Sequence, residues 1–134
     1  MMFKYFKTRK FINYFSLFTI CIAILHCGLE TLYTIKFGQT WTGFLPDYIA
    51  VALMISSAIF VINNPNSVGL LCGAWGFSLC LHYRSWAWRF DEVVIDSSPY
   101  LINNTMCMLL YTMPVSIFAF IICCIMCVRS SESK

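Results

Sequence analysis

Residues 60–88 read FVINNPNSVGLLCGAWGFSLCLHYRSWAW, and the turn inside them decides the fold. An apolar run ends at Asn63, the polar quartet NNPN (Asn63 to Asn66) follows, and a second apolar run begins at once. Pro65 cannot continue a helix, and the Ser67 hydroxyl is placed to accept from the orphan amides of the next one. So tight a link forces the two segments back on each other, which predicts an antiparallel helical hairpin. The second run has no charge before Arg84.

The composition explains what solvent such a hairpin needs. Of 134 residues, 60% are hydrophobic and 11% charged, and the mean hydropathy is +0.74. Soluble domains carry about 25% charged residues, and a soluble chain of this length cannot hide so much apolar surface. Lipid removes the difficulty. A transmembrane helix takes roughly 20 apolar residues to cross about 30 Å of hydrocarbon, and four segments qualify: 11–32, 46–62, 67–88 and 99–128. The fourth is expected to start with Ser98 as its cap and Pro99 in its first turn, and to kink at Pro114.

The reading is an all-α, polytopic membrane protein: an antiparallel four-helix transmembrane bundle forming a single domain over residues 1–134. A basic segment, 1–10, precedes it and a short tail, 129–134, follows. The opening MMFKYFKTRK also resembles a signal peptide, but the apolar run after it exceeds a signal core and no A-x-A-like site follows. The first helix is therefore expected to stay.

Charge sets the expected orientation. With four spans both termini share a side, which holds Lys4, Lys7, Arg9, Lys10, Arg129 and Lys134. The other side holds only Lys36, Arg84 and Arg89, together with Glu30, Asp47, Asp91, Glu92 and Asp96. The positive-inside rule then makes both termini cytoplasmic. The basic start is thus a topology signal, and no nucleic-acid partner is expected. The expected location is a plasma or inner membrane rather than an organelle.

Helices in lipid associate through close packing of small residues, because no hydrophobic force separates them from the acyl chains. The third span offers Gly69, Gly73, Gly76 and Cys80 within about 60° of arc. The fourth offers Thr112, Ser116, Ala119, Cys123 and Cys127, and the first Ser16, Thr19, Ala23 and Cys27. These stripes, above all Gly69, Gly73, Gly76, Cys80, Ser116 and Ala119, are expected to pack the bundle, with the third helix central. The eight cysteines lie almost entirely within the spans, which excludes a disulfide-stapled secreted domain. Cys123, Cys124 and Cys127, beside Arg129, are candidates for lipidation. Cys124 and Cys127 also have C-x-x-C spacing.

The polar residues cluster at one depth. At about 1.5 Å per residue, His82 lies some 22 Å above Ser67, and His26 lies at nearly the same height above Phe11. Glu30 follows His26 by one turn on the same face. Ionisable groups at such depth usually face the bundle or a wet cavity. His26, Glu30, His82, Arg84 and Arg89 are therefore the candidate ligand- or proton-handling pocket near the outer face. The competing reading makes Trp41, Tyr48, Tyr83, Trp86 and Trp88 an aromatic belt from which the arginines snorkel. His82 points about 140° away from the glycine stripe, so burying both would pack the third helix on two faces.

No catalytic residues and no metal site are expected. Two histidines on two helices would suit a bis-histidine haem, the one cofactor the sequence suggests. Three functions follow in order. The first is a non-enzymatic accessory or interaction subunit, with the bilayer and another membrane protein or a second copy of itself as partners. The second is a small transporter or channel unit using the polar pocket. The third is a haem- or thiol-based membrane redox subunit.

Overall fold

The computed structural model describes residue 6 and residues 8–38, 40–94 and 100–128. Four long helices fill these: α1 (Arg9–Phe37), α2 (Trp41–Asn63), α3 (Val68–Val94) and α4 (Tyr100–Cys127). Thr8 caps α1 by accepting from the amide of Phe11. Gly38 ends it in the left-handed conformation (φ 66°), where a side chain would be strained. The NNPN turn closes through Asn64, whose side chain accepts from the Asn66 amide, and Pro65–Ser67 form one 3-10 turn into α3. The expected cap at Ser98 and Pro99 lies outside the described residues.

α1, α2 and α4 are long and apolar enough to cross a membrane. α3 falls short on apolarity, and the reason lies in His82, Tyr83 and Arg84, which interrupt its upper half. The expected second span, 46–62, lies within α2, which begins at Trp41 and carries Pro46 inside its second turn. That proline removes one backbone bond, the one that would run to the Thr42 carbonyl, close to the start of the helix. α4 likewise runs through Pro114 without a break.

Helices adjacent in sequence pack side by side, α1 on α2, α2 on α3 and α3 on α4. Their senses follow from paired residues. Cys72 meets Cys124 and His82 meets Ser116, so α3 and α4 are antiparallel. Thr19 meets Trp75 and His26 meets His82, so α1 and α3 run parallel across the bundle.

Trp75 is the largest fully buried side chain and sits at the centre. Its indole N–H donates to Thr19 Oγ1 at 3.0 Å, while the Thr19 hydroxyl donates to the Phe15 carbonyl at 3.0 Å. The Phe15 and Phe18 rings flank the indole, with centroids 6.4 and 6.3 Å away. Val68, Leu71, Trp75 and Ser78 thus form the inward stripe of α3. The outer surface is apolar all round, with Leu17, Ile24, Leu32, Ile35, Phe60, Leu110 and Phe118 exposed. Exposed apolar surface on this scale suits acyl chains and not water.

The small-residue stripes divide accordingly. Ser16, Thr19 and Ala23 on α1, and Ser116, Ala119 and Cys123 on α4, are buried. On α3, Gly69, Gly73 and Cys80 are exposed, and a Cβ added at Gly69 or Gly73 would meet nothing within 4 Å. Gly76 alone of that stripe is confined, since a Cβ there would lie 3.2 Å from the Phe120 ring. The physical reason is Trp75. A helix that turns a tryptophan, a leucine and a valine inward turns its glycines outward.

Candidate functional site

Each of the four helices sends one polar side chain to a single level of the bundle. His26 of α1 donates from Nε2 to Asp47 Oδ1 of α2 at 3.2 Å. The His26 ring stacks on that of His82 of α3, with centroids 5.4 Å apart and planes inclined by 21°. His82 Nδ1 is hydrogen-bonded to Ser116 Oγ of α4 at 2.9 Å. A second tie lies just above: the Thr31 hydroxyl donates to the Cys27 carbonyl, so the Tyr48 hydroxyl must donate to Thr31, at 2.6 Å.

The helices place these groups for local reasons. Glycine at position 38 lets α1 end and the chain reverse within a few residues, so Asp47 in the second turn of α2 reaches back to His26. His82 follows Leu71, Trp75 and Ser78 along the inward stripe of α3, at helical spacing. Ser116 holds the same place on α4 between Thr112 and Ala119.

α1 and α4 do not pack along their length, and between them lies a cavity of about 350 Å³. Ile22, Leu25, Leu29, Met108, Leu109 and Val115 form its apolar walls. His26, Glu30, Asp47, His82, Ser85 and Thr112 bring polar groups to its floor, with Tyr33 and Tyr111 beside them. Leu25, Leu29, Met108, Tyr111 and Val115 are themselves exposed, so the cleft opens sideways through the α1–α4 gap. Its volume is at the lower end of small-molecule sites, about 300–1,000 Å³.

The electrostatics follow from these distances. The imidazole and carboxylate of His26 and Asp47 are only 17% and 22% exposed, so the pair is held mostly out of water. Two charged imidazolium rings 5.4 Å apart would repel by about 3 kcal/mol at an effective dielectric constant of about 20. Among the described residues the lining includes no lysine or arginine.

The stacked arrangement does not suit the haem that the sequence suggested. Axial ligation needs both rings to point a nitrogen at one iron with a macrocycle between them. Here the rings lie face over face, and His26 Nε2 is already engaged by Asp47. Among the described residues no group of three or more side chains is arranged to hold a metal ion.

Of the candidate pocket residues, the structure brings His26, Glu30 and His82 into one lining. Arg84 is exposed and does not line the cleft. The side chain of Arg89 lies outside the described residues. Two contributors were not singled out for the pocket from sequence. The sequence puts Asp47 at the very mouth of its span and reads Ser116 as a packing residue. Of the lipidation candidates, Cys123 is fully buried, Cys124 half-buried and Cys127 exposed. No protein-family model, curated protein or solved structure matches the chain. Its class is therefore set by the helices alone: a helical, multi-span integral membrane protein.

Proposed function

We propose that the chain is a non-enzymatic membrane binding protein that takes a small amphiphilic molecule from the lipid phase into the cleft between α1 and α4. The observation that carries this is the floor of the cleft, where Asp47, His26, His82 and Ser116 from four helices converge beneath apolar walls. A sideways opening suits a ligand already dissolved in lipid. Its apolar body lies along Leu25, Leu29, Met108 and Val115, and its head exchanges hydrogen bonds with the imidazoles and with Thr112. Binding of this kind needs a few placed polar groups in a mostly apolar site.

In this reading α3 crosses the bilayer with its neighbours. It is joined to α2 by a tight turn and packs antiparallel to α4, so two crossing helices carry it with them. Four crossings leave both termini on the cytoplasmic side, in keeping with the lysines and arginines at the two ends.

Native mass spectrometry from gentle detergent tests the binding. The wild-type protein is expected to retain an adduct of a few hundred daltons, and Val115→Trp, which fills the cleft, is expected to strip it. A wild-type protein that stays bare after lipid reloading, or a Val115→Trp variant that keeps the adduct, sinks the reading.

The outward face of α3 favours a second role, as an accessory subunit. Gly69 and Gly73 leave open space beside the backbone on the lipid side, and small residues there allow another helix to approach closely. A partner or second copy seated on this face would be lost on purification of Gly73→Leu. An unchanged complex in that variant would remove the accessory role.

A further inference from the structure

The strongest chemistry outside the cleft lies at the other end of the bundle. Cys72, about 6 Å along α3 from its start, meets Cys124, near the end of α4, with sulfurs 3.7 Å apart. Both thiols are half-buried and free. Cys127 also approaches Cys72, and Cys123 is buried next to them. Both ends of the pair lie close to helix termini, so they sit near the aqueous boundary.

We propose that Cys72 and Cys124 form a redox-active dithiol that exchanges with low-molecular-weight disulfides and staples α3 to α4. The C-x-x-C spacing of Cys124 and Cys127 is not the reacting pair. Residues three apart on a regular helix have Cβ atoms about 5–6 Å apart, whereas a disulfide needs about 3.5–4.5 Å. The cross-helix pair, on two packed helices, already has its sulfurs 3.7 Å apart.

The exchange balances without a metal or cofactor. One thiolate of the pair attacks a sulfur of the small disulfide and releases its first thiol, leaving a mixed disulfide on the protein. The second thiolate attacks the protein sulfur of that mixed disulfide, forms the Cys72–Cys124 bond and releases the second thiol. The protein loses two electrons and two protons, and the reagent gains them as two thiols. The staple lies about 15 Å along α3 from His82 and joins the two helices that share the His82–Ser116 bond.

The test uses the full chain in lipid nanodiscs, oxidised with 2,2′-dithiodipyridine, then alkylated, digested and mapped by mass spectrometry. The expected result is a linked peptide pair containing Cys72 and Cys124, while accessible cysteines without a facing thiol, such as Cys21 and Cys80, stop at the mixed disulfide with thiopyridine. The link is expected to persist in Cys127→Ser and to be absent in Cys72→Ser and Cys124→Ser, where the remaining thiol stops at the mixed disulfide. A linked pair that joins any other cysteines, or an oxidised wild-type protein that carries only mixed disulfides and no Cys72–Cys124 link, overturns the proposal. The peptide map is read on the wild-type chain, so it stands even if a serine variant folds poorly.

Discussion

Replacing Thr19 by valine tests the packing of the bundle at its centre. Valine keeps the branched shape of threonine and removes only the hydroxyl. In the wild type that hydroxyl accepts from the Trp75 indole at 3.0 Å, and both residues are fully buried. The variant therefore leaves a buried N–H with no acceptor. Such an orphan costs about 1–3 kcal/mol in soluble proteins. Hydrogen bonds between membrane helices average nearer about 0.6 kcal/mol and reach about 1.7. The Thr19 hydroxyl also donates to the Phe15 carbonyl, but that oxygen keeps its helical bond, so little is added. The expected loss is about 1–2 kcal/mol, a 5–30-fold shift in the folding equilibrium. Thr19→Ser keeps the hydroxyl and is expected to cost less than about 1 kcal/mol, the value of one methyl group. Reversible unfolding in mixed micelles, followed by far-ultraviolet circular dichroism, reads these differences. A double-mutant cycle with Trp75→Phe isolates the pair. A Thr19→Val protein within about 0.3 kcal/mol of wild type, or an equal loss in the Trp75→Phe background, would refute the reasoning.

Two further outcomes follow from single residues, and a third from the topology. Gly76→Ala is expected to destabilise, because its new methyl meets the Phe120 ring at 3.2 Å, while Gly69→Ala and Gly73→Ala meet open space. In the monomer those two should be neutral or gain up to about 1 kcal/mol from helix propensity, measured in the same micelle titration. Ser16→Ala is expected to stabilise by about 1 kcal/mol, since the fully buried Ser16 hydroxyl has no partner among the described residues. A loss of stability in that variant would reveal a bond to this hydroxyl. Reporter fusions at the two ends should give the same cytoplasmic signal, and signals from opposite compartments would show that α3 does not cross.

The helices were legible in the sequence because apolar runs bounded by proline and polar turns carry their own punctuation. NNPN between 63 and 66 predicts the α2–α3 hairpin that the structure contains. Two kinds of information were not legible. The first was which stripe of α3 faces inward. Both Gly69–Gly73–Gly76 and Leu71–Trp75–Ser78 have helical spacing, and only a partner such as Thr19 for the indole N–H decides between them. The second was the reach of Asp47. Its span was expected to open at Pro46, which put the carboxylate at the mouth. An α2 that begins at Trp41 sinks it by more than a turn, to the level of His26. Ser116 reads as a packing residue because a small hydroxyl looks the same in both roles, and its bond to His82 needs the register of α3 against α4.

The convergence of four helices on the two imidazoles is the claim on which the cleft depends, and the chain contains only these two histidines. Protein labelled with ¹³C and ¹⁵N in histidine alone, reconstituted in lipid and measured by magic-angle-spinning NMR, reports their separation without assignment of any other residue. Rings 5.4 Å apart are predicted to exchange magnetisation, giving cross-peaks between the two imidazoles at long mixing times. Strong peaks within each ring and none between them would contradict the account.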